Sequence, residues 1–306
     1  MTSLFGNAKR IWVTTTLGGT LRDVLKRYYK RGGVSVDDLI ESGGVWLNQQ
    51  RQCQANAIIP PKSTLVVYQS PTQGWHYQVT SESVCYQQDG LLVVFKPSGL
   101  STVPDRACHR YNLTHAVGNY LNQAKGGFKP TAITRLDLLV SGLVLFGETP
   151  DAEKALFALM RDHQIRKLYE VRIACEGKTP PRFKRIRGKI DFVRRAVSSE
   201  AGRWAETWFF LRSIQQGVAI YAAVPITGRR HQIRYHATLL LGPIIGDDWY
   251  GGVASGGFGL RCCQYRLVWN GCRLSIRCPD GLDGDGMPPT QSSRKIAGGG
   301  APLDPT

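Results

Sequence analysis

The pattern of apolar and polar positions predicts a small helical unit at the start of the chain. Over residues 20–31, apolar side chains recur at helical spacing and basic side chains lie on the opposite side, which predicts an amphipathic helix that ends at Gly32-Gly33. Ser35 is placed to cap a second, short helix. Apolar runs over 45–47 and 65–68 then predict two short strands, so the unit combines helices with a small sheet.

From about residue 85 onward, strands outnumber helices. The Asn270-Gly271 pair between two alternating runs is the strongest hairpin signal in the chain. We expect the basic stretch 182–195 to be a loop over the substrate. Predicted strands cover residues 91–95, 143–146, 167–173, 208–214, 218–224, 266–269 and 272–276, and helices are predicted over 114–121, from Thr149-Pro150, and over 227–241. Because strands often follow one another directly, we predict an α+β domain around a mixed, mostly antiparallel sheet.

These patterns divide the chain into five segments. We expect an N-terminal extension that carries little pattern, a small α/β unit, a linker, a large α+β domain, and a Gly-, Pro- and Ser-rich tail without stable structure. Their boundaries are predicted at residues 1–15, 16–70, 71–84, 85–280 and 281–306.

The charge of the chain indicates a polyanionic partner. Lys and Arg total 39 against 23 Asp and Glu, which gives a net charge of +16 over 306 residues. A field of this sign attracts nucleic acid, the most common polyanion in cells. The alternative is a basic surface that serves only solubility.

The cysteine pattern indicates a reducing compartment, and the hydrophobic pattern indicates where in the cell the protein is expected. The eight cysteines include no C-x-x-C pair, and a chain of this size does not need disulfides to fold. His231 and His236 are five residues apart rather than the four that place two metal ligands on one helix face. Since no signal segment or membrane-spanning run is found, we expect a cytoplasmic protein, monomeric by default, with no metal and no membrane partner.

Three separated segments carry residues suited to chemistry. Asp137 lies beside Arg135 between apolar neighbours, and most carboxylates in such turns are caps or solvated turn residues. A charged aspartate inside a domain needs a cation, and Arg234 at the start of a donor-rich helix is the best candidate. Tyr169 lies in an alternating strand and is equally suited to the core or to stacking on a base.

Five motifs in this order resemble the RluA-type pseudouridine synthases. The resemblance spans residues 85–280, and residues 16–70 resemble the S4 RNA-binding domain, a common companion in that family. The motifs are Lys96-Pro97-Ser98-Gly99-Leu100, Arg135-Leu136-Asp137 with Ser141-Gly142, Lys167-Leu168-Tyr169, Gly228-Arg229 with His231-Gln232-Ile233-Arg234 and His236, and Pro243-Ile244-Ile245-Gly246-Asp247.

The resemblance implies an isomerase that needs no cofactor or metal and converts uridine in RNA to pseudouridine. It matches Asp137 to the essential aspartate, Tyr169 to the active-site tyrosine and Arg234 to the arginine paired with that aspartate. Arg135 corresponds to the residue that fills the gap left by the extruded base. Whether the carboxylate attacks C1′ or removes the 2′ proton stays open at this point.

The remaining candidates are expected to bind RNA. They are Lys96, Arg229, His231 and Gln232 in the large domain, and Arg22, Lys26 and Lys30 on the first helix. Thr134, Val140 and Arg230 stand where the family pattern usually has histidine, threonine and threonine, which leaves the identity of the RNA open.

The substrate expected first is large-subunit ribosomal RNA, because the S4-like unit favours it, and tRNA is the second possibility. A non-catalytic RNA-binding or ribosome-assembly protein with the same fold is an alternative that the joint presence of Asp137, Tyr169 and Arg234 disfavours. A DNA-binding protein is a third class, disfavoured because no helix-turn-helix or zinc pattern is found.

Overall fold

The protein is described by a computed structural model of the whole chain. The described residues are 9–30, 33–70, 73–125, 127–175, 177, 179–191, 196–197, 202–253 and 257–279. Several sequence predictions fall outside them, namely residues 1–8 of the N-terminal extension, Gly32, the start of the linker at 71–72, the basic stretch 192–195 and the tail 281–306.

The N-terminal part of the described chain is a small α/β unit with its own core. Strands β1, β6, β3 and β4 form an antiparallel sheet in that order, and β2 pairs with β5. Leu25, Leu39 and Val67 are fully buried in the core between the sheet and the two helices. The elements are β1 (Lys9–Thr14), β2 (Gly19–Thr20), α1 (Leu21–Tyr28), α2 (Val36–Ser42), β3 (Val45–Leu47), β4 (Gln50–Gln52), β5 (Ile58–Ile59) and β6 (Thr64–Gln69).

Helix α2 begins where the sequence predicts, whereas the expectation for residues 9–14 was wrong. The Ser35 hydroxyl accepts a hydrogen bond from the backbone N–H of Asp38, and Gly43 ends the helix in the left-handed conformation. Residues 9–14 were expected to belong to an extension with little pattern, but they form β1, which pairs along its whole length with β6. Ile11 and Val13 alternate into the core, a pattern too short to distinguish without its pairing partner.

The larger part of the described chain contains ten more strands and three more helices. The hairpin at Asn270-Gly271 is present, with both residues at positive φ. Short 3₁₀ turns occur at Ser81–Ser83 and Asp248–Tyr250. The elements are β7 (Val84–Gln88), β8 (Leu91–Lys96), α3 (Leu113–Lys125), β9 (Ser141–Gly147), α4 (Pro150–Arg161), β10 (Arg166–Ala174), β11 (Phe183–Asp191), β12 (Ala196–Val197), β13 (Arg203–Gln215), β14 (Val218–Pro225), α5 (Gln232–Leu240), β15 (Leu260–Trp269) and β16 (Cys272–Arg277).

These ten strands form one sheet, which confirms the predicted mixed, mostly antiparallel α+β architecture. The strand order is β12-β11-β13-β14-β10-β15-β9-β8-β7, and β16 pairs with residues 264–269 of β15. Strand β9 meets β15 in parallel, and the other described pairings in this sheet are antiparallel. Gly142 is required at the parallel contact, because it has a φ of 117° and an added Cβ would overlap the Cys262 carbonyl oxygen.

Two local predictions in this domain are corrected. The stretch predicted as a basic loop is strand β11 over residues 183–191, because it pairs with β13 through a register that runs from Phe183 opposite Phe210 to Ile190 opposite Arg203. The helix predicted from residue 227 begins five residues later at Gln232, because His231 adopts a left-handed φ of 52° and breaks the helical run.

The two parts of the chain have separate hydrophobic clusters and meet through polar contacts and through Tyr68, which packs against a third cluster of Ala107, Cys108 and Tyr111. The indole N–H of Trp46 donates to the Arg106 carbonyl at 2.8 Å, and the Gln73 amide donates to the Ala107 carbonyl at 2.7 Å. The small unit therefore contacts the loop that leads into α3.

Within the described residues, the helices are all too short or too polar to cross a bilayer.

Candidate active site

Asp137 lies in the turn that leads into β9, and the Lys96–Leu100 motif holds this turn in place. Three polar side chains reach the backbone on either side of the aspartate. The Lys96 ammonium donates to the Leu138 carbonyl at 3.1 Å, the Ser98 hydroxyl donates to the Leu139 carbonyl at 2.7 Å, and the Thr102 hydroxyl donates to the Leu136 carbonyl at 2.8 Å. These bonds fix the backbone of the turn and leave the carboxylate itself 29% exposed.

The prediction that Lys96 contacts RNA is therefore wrong. The side chain is fully buried, and its ammonium also donates to the carbonyls of Pro97 at 2.9 Å and Leu100 at 2.7 Å. Its three N–H donors thus meet three backbone acceptors. Burial lowers the pKa of Lys96 to about 7, and the Asp137 carboxylate opposes that shift. Lys96 therefore supports the turn that carries the aspartate.

Arg234 lies in the same cleft as Asp137, but its principal ion pair is with another residue. Its guanidinium binds the Asp247 carboxylate through two hydrogen bonds of 2.7 Å, whereas its Nη1 lies 3.5 Å from Asp137 Oδ2. Asp247 is completely buried, so it needs the full bidentate arginine, and the longer contact is left for the partly exposed Asp137. Burial would lower the pKa of Arg234, but the bonds to Asp247 and the charge of Asp137 raise it.

His231 completes this charged group. Its Nε2 lies 3.0 Å from Arg234 Nη1 and 3.6 Å from Asp137 Oδ2, and its Nδ1 lies 3.3 Å from the Tyr250 hydroxyl. Burial lowers the pKa of His231 to about 4, so the ring is neutral near pH 7, and Nε2 accepts the hydrogen bond from the arginine. The left-handed backbone at His231 costs about 1–3 kcal/mol, and such strain often accompanies functional positions.

Tyr169 lies on the wall of the cleft, on the core-facing side of β10. The cleft has a volume of about 370 Å³, within the range of small-ligand sites. Asp137, Arg135, Lys167 and Arg234 also line it. Burial, and after it the nearby Cys262 thiol, raises the pKa of Tyr169 well above its usual value. The tyrosine is therefore a neutral phenol at pH 7, suited to packing against a base.

The prediction that Gln232 binds RNA is also wrong, because the side chain is buried and bonded at both ends. Its oxygen accepts from the Thr227 hydroxyl at 2.6 Å and the Arg229 backbone N–H at 3.0 Å. Its nitrogen donates to the Glu206 carbonyl at 2.8 Å and the Thr207 hydroxyl at 3.0 Å. Gln232 thus ties the loop before α5 to strand β13.

His231, also predicted to bind RNA, is largely buried beside Arg234, whereas the other predicted RNA-binding residues are exposed and occupy two different places. Arg135 and Arg229 lie at the cleft, and Arg229 also donates to the Trp204 carbonyl at 2.9 Å. Arg22, Lys26 and Lys30 lie on or just after helix α1 in the small unit, away from the residues that line the cleft.

Two of the three departures from the family pattern lie inside the protein. Thr134 accepts a hydrogen bond from the buried Tyr265 hydroxyl at 2.8 Å, and Val140 is 3% exposed. Both residues are nearly fully buried in the wall of the cleft. Arg230, in contrast, is exposed at the cleft.

Asp247 is the site residue whose role sequence reasoning missed. The signal that could have indicated it is the position of this aspartate after the apolar run of the Pro243–Asp247 motif, since a carboxylate in such a run needs a buried partner. Within the described residues, no three His, Cys, Asp or Glu side chains are grouped as a metal site. The arrangement offers a carboxylate beside one guanidinium donor, a neutral imidazole bonded to that guanidinium and an aromatic ring, open to a cleft.

Comparison with known proteins identifies the family of this chain. The family model described as RNA pseudouridylate synthase matches residues 90–239. The dual-specificity RNA pseudouridine synthase RluA of Escherichia coli O6:H1 is 30% identical over 223 residues, which cover 69% of this chain and 91% of that relative. The chain belongs to the RNA pseudouridylate synthase family.

Other members and two solved structures agree with the family assignment. Ribosomal large subunit pseudouridine synthase C of Rickettsia felis is 30% identical over 182 residues. This match covers 57% of each protein, so it spans little more than half of that relative. Human RNA Pseudouridylate Synthase Domain Containing 4 aligns with a TM-score of 0.55 at 20% identity, over 65% of this chain and 88% of its own. Human RNA Pseudouridylate Synthase Domain Containing 1 aligns with a TM-score of 0.51 at 18% identity, over 67% and 86%, and both likenesses confirm the fold.

Proposed function

We propose that this protein is an RNA pseudouridine synthase in which Asp137 is the catalytic carboxylate. The observation that carries the proposal is the placement of this carboxylate at 29% exposure in a cleft, 3.5 Å from Arg234 and beside Tyr169, in a member of the RNA pseudouridylate synthase family. The surrounding residues suit a group that must stay charged while it meets a sugar.

The isomerisation breaks the N1–C1′ bond, forms a C5–C1′ bond, and moves one proton from C5 to solvent while N1 gains another. Asp137 attacks C1′ or removes the 2′ proton in the first step. Tyr169 packs against the turning uracil, Arg234 holds the carboxylate, and the neutral His231 accepts a hydrogen bond from that arginine. Arg135 at the cleft occupies the gap that the flipped nucleotide leaves, since the base has to leave its stack to reach the site.

Large-subunit ribosomal RNA is the proposed substrate. Relatives named for modification of the large ribosomal subunit match 57% of this chain at 30% identity. Relatives named as dual-specificity RNA enzymes match 69% at 30% identity, so a second RNA, tRNA in our proposal, stays in consideration.

The N-terminal unit is proposed to be an S4-like RNA-binding domain over residues 16–70, whose sheet also includes β1, followed by a linker at 71–84 and the catalytic domain at 85–280. Separate hydrophobic clusters in the two parts support this division. On α1, Leu21, Val24 and Leu25 are buried while Arg22 and Lys26 are exposed, so the basic side faces outward. We propose that this side contacts the phosphate backbone of the RNA.

Tritium release from RNA labelled at C5 of uridine tests the activity. The wild-type protein should release tritium, and Asp137→Asn should reduce the rate by at least about 10³-fold while RNA affinity stays within about threefold. Asp151→Asn, at an exposed position in the first turn of α4, is the matched control and should keep the wild-type rate. Unchanged tritium release by the Asp137→Asn variant would refute Asp137 as the catalytic carboxylate. A wild-type protein that binds RNA but releases no tritium would favour a non-catalytic RNA-binding protein.

Pseudouridine mapping in total RNA tests the substrate. A deletion strain should lose one or more sites in large-subunit ribosomal RNA and regain them with a plasmid copy. Loss confined to tRNA would make tRNA the substrate. Size-exclusion chromatography and cell fractionation test the accompanying proposals that the protein is monomeric and cytoplasmic.

A further inference from the structure

Strands β11 and β13 present an aromatic and basic surface outside the cleft. Their register places Phe183 opposite Phe210, Arg185 opposite Trp208, and Lys189 opposite Trp204. Directly paired residues of antiparallel strands project to the same side of a sheet, so these side chains share one face. We call the surface formed by Phe183, Arg185, Arg187, Trp204, Trp208 and Phe210 the aromatic–basic face.

The aromatic side chains of this face lie outside the hydrophobic core, although the opposite face of the same strands is buried in it. The alternate residues Ala205 and Phe209 point the other way and are at most 1% exposed. On the aromatic–basic face, in contrast, Phe183 is 49% exposed, Trp204 is 54% exposed and Phe210 is 37% exposed. A row of large aromatic side chains kept in solvent beside a complete core indicates a binding surface.

Contacts among the rings, the arginines and Glu206 hold the side chains of the face in place. Arg185 lies over the Trp208 ring at 5.6 Å, and Arg187 lies over the Trp204 ring at 5.2 Å. The Glu206 carboxylate accepts hydrogen bonds from Arg185 at 2.8 Å and from the Trp208 indole at 2.7 Å. The two arginine side chains are still 51% and 64% exposed, so each can also meet a phosphate.

The face continues to the cleft of the proposed active site. Arg229, which lines the cleft, donates to the Trp204 carbonyl at 2.9 Å, and the Gln232 amide donates to the Glu206 carbonyl at 2.8 Å. From this end the face extends along β11 from Lys189 to Phe183, a length of about 20 Å at ~3.3 Å per residue. That length accommodates a run of several nucleotides.

We propose that the aromatic–basic face binds a single-stranded RNA segment next to the target uridine. Bases stack on Trp204, Trp208 and the Phe183–Phe210 pair, and phosphates meet Arg185 and Arg187. Among the side chains that the structure describes on β11 and β13, Arg185, Arg187 and Lys189 share this side of the sheet with one carboxylate, that of Glu206, which suits a polyanion. The position beside the uridine rests on the proposed function, whereas the binding of single-stranded RNA does not.

Fluorescence anisotropy with a labelled, uridine-free oligoadenylate tests the face without any reaction. The wild type should bind it at low salt, and the double variant Trp204→Leu/Phe210→Leu should bind at least about tenfold more weakly, because each stacked base is worth about 5-fold or more. Phe157→Leu is the matched control, since Phe157 is a 42% exposed aromatic on α4, and it should bind like the wild type. Circular dichroism and thermal melting establish that each variant is folded.

A charge variant checks the same face should the double variant prove unstable. Arg187→Glu should weaken oligoadenylate binding and lower the slope of log affinity against log salt by about 0.7 per lost phosphate contact. Duplex RNA of equal length should bind the wild type more weakly than the single strand and should respond less to loss of the rings.

The outcomes separate this inference from the proposed activity. Oligoadenylate binding that falls in the face variants supports the inference even if no tritium is released. Wild-type affinity in both face variants, or a wild type that does not bind the oligonucleotide, would overturn it and favour a protein-docking surface. With a reactive RNA, the face variants should raise KM and leave kcat within about twofold.

Discussion

Replacement of Arg234 by glutamine should destabilise the protein far more than its distance from Asp137 suggests. The variant leaves Asp247 buried at 0% exposure without the bidentate partner that binds it through two 2.7 Å bonds. Removal of one member of a buried ion pair costs about 3–5 kcal/mol, because the remaining charge stays desolvated. For a domain of about 200 residues this corresponds to a fall in Tm of about 6–20 °C.

Urea unfolding followed by tryptophan fluorescence measures this loss. Arg172→Gln is the matched control, because Arg172 forms an exposed pair with Glu170 at 2.9 Å and should lose less than about 1 kcal/mol. The double variant Arg234→Met/Asp247→Leu should recover most of the stability, since an apolar pair of similar volume replaces the ions. It should not recover activity, because the donor beside Asp137 is gone.

Two outcomes would contradict the assignment of Asp247 as the principal ion-pair partner of Arg234. If Arg234→Gln lost no more stability than Arg172→Gln, the guanidinium would not compensate a buried carboxylate. If Asp137→Asn were as destabilising as Arg234→Gln, the principal ion pair would be with Asp137, in conflict with its 3.5 Å separation and 29% exposure.

Three further predictions concern other groups. Burial lowers the pKa of Lys96 to about 7 from 10.5, so the folded protein binds fewer protons than the unfolded chain between these values, and its free energy of unfolding should rise with pH there by up to about 1.4 kcal/mol per unit. Urea titrations at pH 7, 8 and 9 should show that Lys96→Met loses this rise. Because burial lowers the pKa of His231 to about 4, its imidazole NMR shifts should stay constant from pH 5.5 to 8, and a titration near 6.5 would contradict its burial. Gly142→Ala should lower the free energy of unfolding by at least about 2 kcal/mol more than Gly271→Ala. Both glycines have positive φ, but an added Cβ would meet a backbone oxygen at Gly142 and open space at Gly271. Equal losses of stability in thermal melts would contradict the close contact at Gly142.

Much of the local structure followed from contiguous residues. Ser35 before α2 and Thr149 before α4 are caps that act within a single turn, Pro150 suits the first position of α4, and Asn270-Gly271 sets its own hairpin. Tertiary contacts are therefore not needed to predict these features. The alternating pattern also predicted strand β10, on which Tyr169, Val171 and Ile173 are buried on one face. The same short-range signals predicted the α+β class.

The errors arose where a distant segment decides the outcome. Residues 183–191 carry too many charges to look like a strand, and they become one because β13 supplies the pairing edge. Gln232 looked like a polar contact for RNA until β13 placed its carbonyl and hydroxyl acceptors around the amide.

By itself the sequence determined the class of fold, the order of motifs and the presence of one aspartate, one tyrosine and one arginine suited to the chemistry. Tertiary structure alone decided how the charges are shared, because burial and distance set the partner of each ion. Asp247 takes the two short bonds of Arg234, Lys96 is enclosed by three carbonyls behind the turn, and Asp137 keeps its opening to the cleft.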